Sequence, residues 1–173
     1  MMILISGNNG SGKSAYAEKL AATMDEPRYY IATMVSQNEE NELRIEKHRK
    51  QRAELEFHTI EEPCYVSKVE IPVASLVLLE DASNLLANMM FVEHGTEVEA
   101  LHEILELQKK CRHLLVVTIS GMTESEYDGE TAAYIRSMEW LNKRLQETSD
   151  IVIELQDGTP VSKKVTCNGT VFK

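Results

Sequence analysis

Three groups of residues in this chain have the types and spacing that chemistry requires. The first is Gly7-Asn8-Asn9-Gly10-Ser11-Gly12-Lys13-Ser14, which spells G-x-x-x-x-G-K-S in full. Glycines at these positions let the backbone wrap closely, so that successive N–H groups aim at phosphate oxygens. A helix starting where the loop ends adds the positive end of its dipole. Lys13 is expected to reach the β- and γ-phosphates of a nucleoside triphosphate, and the Ser14 hydroxyl to ligate Mg²⁺. The second group is Glu80-Asp81, closing an apolar run. An acid at the carboxyl end of a strand neighbouring a P-loop strand holds Mg²⁺ directly or through water, and a carboxylate suits a hard cation. Adjacent strand residues point to opposite faces, so the pair alone leaves the choice of acid open. The third group is Arg44, His48 and Arg52, spaced i, i+4 and i+8 and therefore on one helix face. Flanking cations disfavour imidazolium and keep His48 neutral, which makes it a competent nucleophile, while the arginines suit phosphate oxygens. By spacing alone, such a face is more commonly solvated charge.

Strands and helices must hold these groups, and the sequence alternates between them. Met2 to Ser6 reads as a buried strand before the P-loop, and Ala15 to Met24 as the helix after it. Asp25-Glu26-Pro27 marks a turn, and Arg28 to Thr33 a second strand. From Gln37 and Asn38 to about Leu55 the chain is charged, rich in helix formers and free of glycine and proline. Its apolar residues are few, Leu43, Ile45 and Ala53, so this helix is expected to bury a narrow stripe and dock loosely. Phe57 to Ile60 is a brief extended piece, Ser75 to Leu79 a central parallel strand, and Leu114 to Ile119 another buried strand. Helices are expected from Val98 to Lys110 and from Thr131 to Glu147, the latter carrying the single tryptophan, Trp140. Asp150 to Leu155 gives a last main strand, and Asn168-Gly169 within Val161 to Lys173 signals a hairpin. This pattern predicts an α/β P-loop fold: a mostly parallel sheet, helices on both faces and an antiparallel C-terminal edge.

Bulk properties narrow the function. With 173 residues and no linker, repeat or low-complexity tract, the chain is expected to form a single nucleotide-binding domain spanning 1–173. A net charge of −10 with no basic stripe argues against a nucleic-acid partner. The apolar runs fall far short of a membrane span. The P-loop strand begins at Met2, which leaves no room for a cleavable leader and points to the cytoplasm. Cys64, Cys111 and Cys167 are odd in number and lack C-x-x-C spacing, as expected of reduced thiols.

Several stretches taken in order resemble one enzyme family. They are Ile3-Leu4-Ile5-Ser6-Gly7 with its P-loop, Tyr30-Ile31-Ala32-Thr33, Glu40-x-x-x-Arg44-Ile45-x-x-His48-Arg49 and Thr59-x-Glu61-x-Pro63. Leu78-Leu79-Glu80 followed by Asn88, then Leu141-Asn142-x-Arg144-Leu145 before Ser149-Asp150, continue the likeness over nearly the whole chain. The P-loop is generic, whereas R-I-x-x-H-R after Y-I-A-T is specific. On these residues the chain is similar to the adenosylcobinamide kinase / adenosylcobinamide-phosphate guanylyltransferase family of cobalamin biosynthesis.

The resemblance implies a RecA-like sheet, a homotrimer and two reactions at one site. ATP or GTP phosphorylates the aminopropanol hydroxyl of adenosylcobinamide. GTP then guanylylates a histidine with loss of pyrophosphate, and the GMP passes to adenosylcobinamide phosphate. His48 matches the family's nucleophile, Glu80 its Mg²⁺-associated acid and Glu61 a nucleotide-binding position. A loosely docked helix suits a histidine that must meet first an α-phosphate and then an acceptor. The sequence also departs from the family pattern. Gly10 stands where an arginine is usual, and the family's proline and tryptophan are replaced around Ala53 and Phe57. Ile119-Ser120-Gly121-Met122 and the acidic stretch from Thr123 to Glu130 replace an N-E-V-G-type run. That loop follows a sheet strand at its ligand-binding end. A single-activity relative, a P-loop small-molecule kinase or nucleotidyltransferase with another acceptor, and a nucleotide-binding subunit without turnover are the alternatives.

Overall fold

A computed structural model describes residues 1–24, 27–35, 55–167 and 170–172. Among these residues one sheet of eight strands runs through the molecule, and its centre is the strand that feeds the P-loop. β1 (Met2–Gly7) lies between β5 (His113–Ile119) and β6 (Ile151–Gln156), parallel to both. Beyond β5 come β4 (Leu76–Glu80), β2 (Arg28–Ala32) and β3 (Phe57–Glu61), all parallel. Beyond β6 come the antiparallel β7 (Thr159–Cys167) and β8 (Thr170–Phe172), giving the order β3-β2-β4-β5-β1-β6-β7-β8. This is the mostly parallel sheet with an antiparallel C-terminal edge that the pattern predicts.

Side-chain alternation along the strands divides the core in two. Met2, Leu4, Val77, Leu79, Leu114 and Val116 face one side, where they meet three helices. These are α2 (Ala82–Phe91), α3 (Glu97–Lys110) and α4 (Gly129–Thr148). On α3 the buried residues Ala100, Ile104 and Leu107 recur at helical spacing, behind a capping box formed by Thr96 and Glu99. Ile3, Ile5, Leu76, Leu78, Leu115 and Val117 face the other side, against Ala17 and Ala21 of α1 (Lys13–Ala22). The C-terminal turn of α1 is closed by Arg28, whose guanidinium donates to the carbonyls of Ala21, Ala22 and Met24.

The structure adds two elements and moves one relation. The α2 helix has no counterpart in the sequence reading, although Ala82, Leu85, Leu86 and Met89 recur at helical spacing on its buried face. The β6–β7 turn at Asp157-Gly158 also escaped it, although Asp-Gly is a two-residue hairpin signal and both residues have positive φ, 48° and 78°. The strand carrying Glu80 does not neighbour the P-loop strand, since β5 lies between β4 and β1. Two apolar runs of similar length leave their order in a sheet undetermined. The polar helix expected up to about Leu55 falls largely in 36–54, and that stretch, like Asn168-Gly169, lies outside the described residues.

Candidate functional site

The P-loop leaves β1 at Gly7, where any side chain would collide with its surroundings. A Cβ there would lie 2.5 Å from Ser11 Oγ and 2.9 Å from the Leu155 carbonyl oxygen. Gly10 and Gly12 take left-handed backbone at φ 76° and 82°, a region that favours glycine. The Ser11 N–H donates to the Asn8 carbonyl (3.1 Å), which closes the turn before α1 starts at Lys13. Asn8, Asn9, Gly10 and Gly12 are exposed, while Lys13 is only 8% exposed and donates from Nζ to the Asn8 carbonyl at 3.3 Å. The lysine is therefore held inside the loop, where its charge is felt by the buried carboxyls of Glu80 and Asp81.

Ser14 and Glu80 come together across an intervening strand. Helix α1 packs over β5 toward β4, its Ala17 and Ala21 sharing a core with Leu115, Val117, Leu76 and Leu78. The Ser14 hydroxyl thereby donates to Glu80 Oε1 at 2.5 Å. Glu80 Oε2 is shielded from solvent and has no hydrogen-bond partner among the described residues. A buried, unpartnered carboxylate oxygen beside a P-loop hydroxyl fits a Mg²⁺ ion that completes its shell with phosphate oxygens and water. Burial, then repulsion from Asp81, raises the Glu80 carboxyl above its ordinary range, against the hydrogen bond from Ser14. Asp81, joined to Glu80 by a cis peptide bond, is engaged elsewhere. It caps α2, accepting the Asn84 N–H at 2.7 Å and the Ser83 hydroxyl at 2.6 Å on Oδ1.

Among the described residues, several of the family-like ones outside the P-loop brace the sheet. The buried Thr33 hydroxyl accepts the Asp81 N–H and donates to the Asp81 carbonyl, both at 2.8 Å. Asn88 donates from Nδ2 to the carbonyls of Thr33 (2.8 Å) and Pro63 (3.1 Å). Asn142 accepts from Thr118 Oγ1 at 2.7 Å and donates to the Ile119 carbonyl at 2.8 Å, steadying the end of β5. Asp150 Oδ2 accepts the Met2 N–H at 2.7 Å, at the start of β1. Reading the sequence for reactive groups passed over Thr33, Asn88 and Asn142. Their signal was a polar side chain placed directly after, or packed beneath, an apolar strand.

The altered loop after β5 abuts the P-loop. The Ser120 N–H donates to the Gly7 carbonyl at 3.0 Å, and a Cβ on Gly121 would meet Asn8 Oδ1 at 2.1 Å. Residues 119–122 and α4 enclose a cavity of about 250 Å³. Glu61, at the end of β3, stands in register with Ala32, which in turn pairs with Glu80. Both acids thus lie at one level of the carboxyl edge. Arg44, His48 and Arg52 lie outside the described residues.

A family model described as cobinamide kinase / cobinamide phosphate guanyltransferase matches residues 3–163. The chain belongs to this family of transferases. Bifunctional adenosylcobalamin biosynthesis protein CobU of Escherichia coli (strain K12) is 35% identical over 94 residues, 53% of this chain. That match spans about half, 51%, of the Escherichia coli protein. Bifunctional adenosylcobalamin biosynthesis protein CobP of Pseudomonas aeruginosa is 29% identical over 171 residues, 95% of this chain and 98% of CobP. Among solved structures, a structural-study target from Pyrococcus horikoshii OT3 shares the fold, with a TM-score of 0.54 at 8% identity over 99% of this chain and 91% of that one. Among the described residues no helix is long and apolar enough to cross a membrane.

Proposed function

We propose that this chain is a bifunctional enzyme of corrinoid nucleotide-loop assembly. It phosphorylates adenosylcobinamide from ATP or GTP, then transfers GMP from GTP to the adenosylcobinamide phosphate so formed. The observation that carries this reading is the Ser14–Glu80 contact beside Lys13 in a chain whose family match runs through residues 3–163. Lys13 and the loop N–H groups hold the phosphates. Ser14 and Glu80 hold Mg²⁺, which neutralises charge on the β- and γ-oxygens. Glu80 is favoured over Asp81 because Asp81 spends Oδ1 on the α2 cap. In the second reaction His48 attacks the α-phosphorus of GTP, pyrophosphate leaves, and the N–P bond then breaks as the acceptor phosphate takes the GMP. Arg44, Arg52 and Glu61 complete the nucleotide site in this reading. The working form is a homotrimer, checked by light scattering on the eluting protein.

Incubation of the full chain with α-labelled GTP and Mg²⁺ tests the central claim. Label should remain on the protein through denaturation, through an acid-labile, base-stable linkage, and His48→Asn should remove it. His48→Asn should leave phosphorylation of adenosylcobinamide largely intact. Absence of label on the unsubstituted protein would eliminate the guanylyltransferase half and leave a kinase, with the 119–122 loop against Asn8 as the first place to look for the cause.

A further inference from the structure

The order of strands sets where the last phosphate of a bound triphosphate faces. β5 lies between β1, which delivers Lys13 and Ser14, and β4, which ends in Glu80. A metal ion held by Ser14 and Glu80 therefore spans the end of β5. Residues 119–122, at and beyond that end, form one wall of the cavity of about 250 Å³, and α4 forms the other. We propose that this cavity receives the alcohol-bearing arm of the phosphoryl acceptor, an uncharged chain of amide and methyl groups. The inference rests on the kinase half of the reading above.

Position is the first argument. Glu61, a nucleotide contact in that reading, lies on β3, two strands beyond β4. The nucleoside and α-phosphate then leave the metal on that side, and the β-phosphate lies on the same side of the γ-phosphorus. An acceptor oxygen in line with the leaving group comes from the opposite side, over the end of β5. Its new P–O bond forms as the bridging P–O bond breaks. The nucleoside diphosphate keeps the bonding pair, and the hydroxyl proton passes to water. The cavity adjoins this point, because Ser120 lines it and donates its N–H to the Gly7 carbonyl at 3.0 Å.

Lining is the second. Ile119, Met122, Ile135 and Met138 supply apolar contacts, and the carboxamides of Asn142 and Gln146 supply hydrogen-bonding groups. The two charged residues of the lining, Glu139 and Lys143, have opposite signs and stand one helical turn apart on α4. Their fields offset, so the cavity selects neither an anion nor a cation. A neutral chain with amide and hydroxyl groups on short carbon links matches such a wall.

Size and rigidity are the third. About 250 Å³ lies below the usual range for a whole small-molecule site, about 300–1,000 Å³. The cavity therefore holds an arm and leaves a corrin ring outside. Its two walls are tied together by Asn142 of α4, which accepts from Thr118 Oγ1 at 2.7 Å and donates to the Ile119 carbonyl at 2.8 Å. An arm seated between them is held in one place relative to the P-loop, as an in-line displacement requires.

Steady-state phosphorylation of adenosylcobinamide by the full chain, with Mg²⁺ and ATP or GTP, tests this. Glu139→Trp and Gln146→Trp each put an indole on the cavity rim, at exposed positions about two turns apart on α4. Each should raise KM for adenosylcobinamide at least about tenfold, while KM for the nucleotide changes by less than about twofold. The rise in melting temperature with nucleotide and Mg²⁺ should match that of the unsubstituted protein, which also shows that each variant folds. An unchanged KM for adenosylcobinamide in both variants would overturn the acceptor cavity while leaving the kinase reading intact. An equal loss for nucleotide and acceptor would overturn it too, since the cavity would then serve only the shape of the P-loop. If the unsubstituted protein does not phosphorylate adenosylcobinamide, the kinase reading falls and this inference with it.

Discussion

Lys13 is a charged side chain buried beside the carboxyls of Glu80 and Asp81. At 8% exposure it keeps one contact to the Asn8 carbonyl, and its remaining donors are available to anionic oxygen. Its removal takes away phosphate binding and transition-state charge stabilisation, not apolar packing. Lys13→Ala should therefore lower triphosphate turnover by about 10²-fold or more, with the melting temperature little changed. Near-normal turnover of GTP and ATP by the folded variant would remove Lys13 from the mechanism. Glu80→Gln keeps the shape of the side chain and deletes the charge that favours Mg²⁺. Metal-dependent turnover should fall much further than nucleotide binding measured in chelator. The buried thiols give a pH-dependent check at the same scale. Burial pushes the Cys111 thiol up to about 11 and raises that of Cys64. The thiolate is the reactive form, and its population grows as pH rises toward the thiol pKa. At pH 8 Cys111 is about one part in a thousand thiolate. Iodoacetamide should leave both residues unmodified in the folded protein at pH 8 and modify both in denaturant. Rapid labelling of either in the folded state would contradict the described packing.

At the scale of elements, the two adjacent acids part company because one ends a strand and the other begins a helix. Asp81→Ala removes the Oδ1 acceptor of the Asn84 N–H and should cost about 1 kcal/mol of stability, read from urea unfolding. Asp81→Asn, a comparable cap, should retain most of that stability and most of the turnover. If Asp81→Asn costs more turnover than Glu80→Gln, the assignment of the metal acid to Glu80 is wrong. Gly121→Ala acts through the neighbouring loop. A Cβ there turns the exposed Asn8 side chain aside and is strained on a φ of 82°, so the substitution should distort the 119–122 loop and weaken nucleotide binding by no more than about threefold, measured by titration. Most of the strands and α3 were legible in the sequence because each has a period that points to one buried face, as with Ala100, Ile104 and Leu107. The P-loop was legible because its motif is local, eight consecutive residues, although the folded loop also meets Glu80, Ser120, Gly121 and Leu155. The place of β4 in the sheet was not legible, since pairing order is a non-local choice among similar apolar runs. Thr33 and Asn88 were quoted for their likeness to a family and given no task. Their partners, Asp81 at 48 residues' distance and Thr33 at 55, exist only in the folded chain.

For the whole molecule, the position of β1 matters most. It pairs on one edge with β5 and on the other with β6, and its side chains supply both cores, Met2 and Leu4 to one and Ile3 and Ile5 to the other. The anion loop thus hangs from a strand that is paired on both edges and packed on both faces. Two expectations follow. Unfolding should be one cooperative transition, with far-UV circular dichroism reporting the sheet and Trp140, packed against the three-helix core on α4, reporting that side. Coincident curves from the two probes are expected, and separated midpoints would show that the helical face or the C-terminal edge unfolds as its own unit. Ligand should then stabilise the entire fold, because the bound loop belongs to the cooperative unit. Nucleotide with Mg²⁺ at about 100 times its dissociation constant contributes about 2.7 kcal/mol. For a chain of this size that raises the melting temperature by about 5–10 °C. Lys13→Ala should melt near the unliganded temperature and lose this rise at the same ligand concentration. A rise of the same size in Lys13→Ala would mean that the stabilising nucleotide sits somewhere other than the P-loop. A rise seen by one probe alone would mean that the loop is coupled to only one of the two cores.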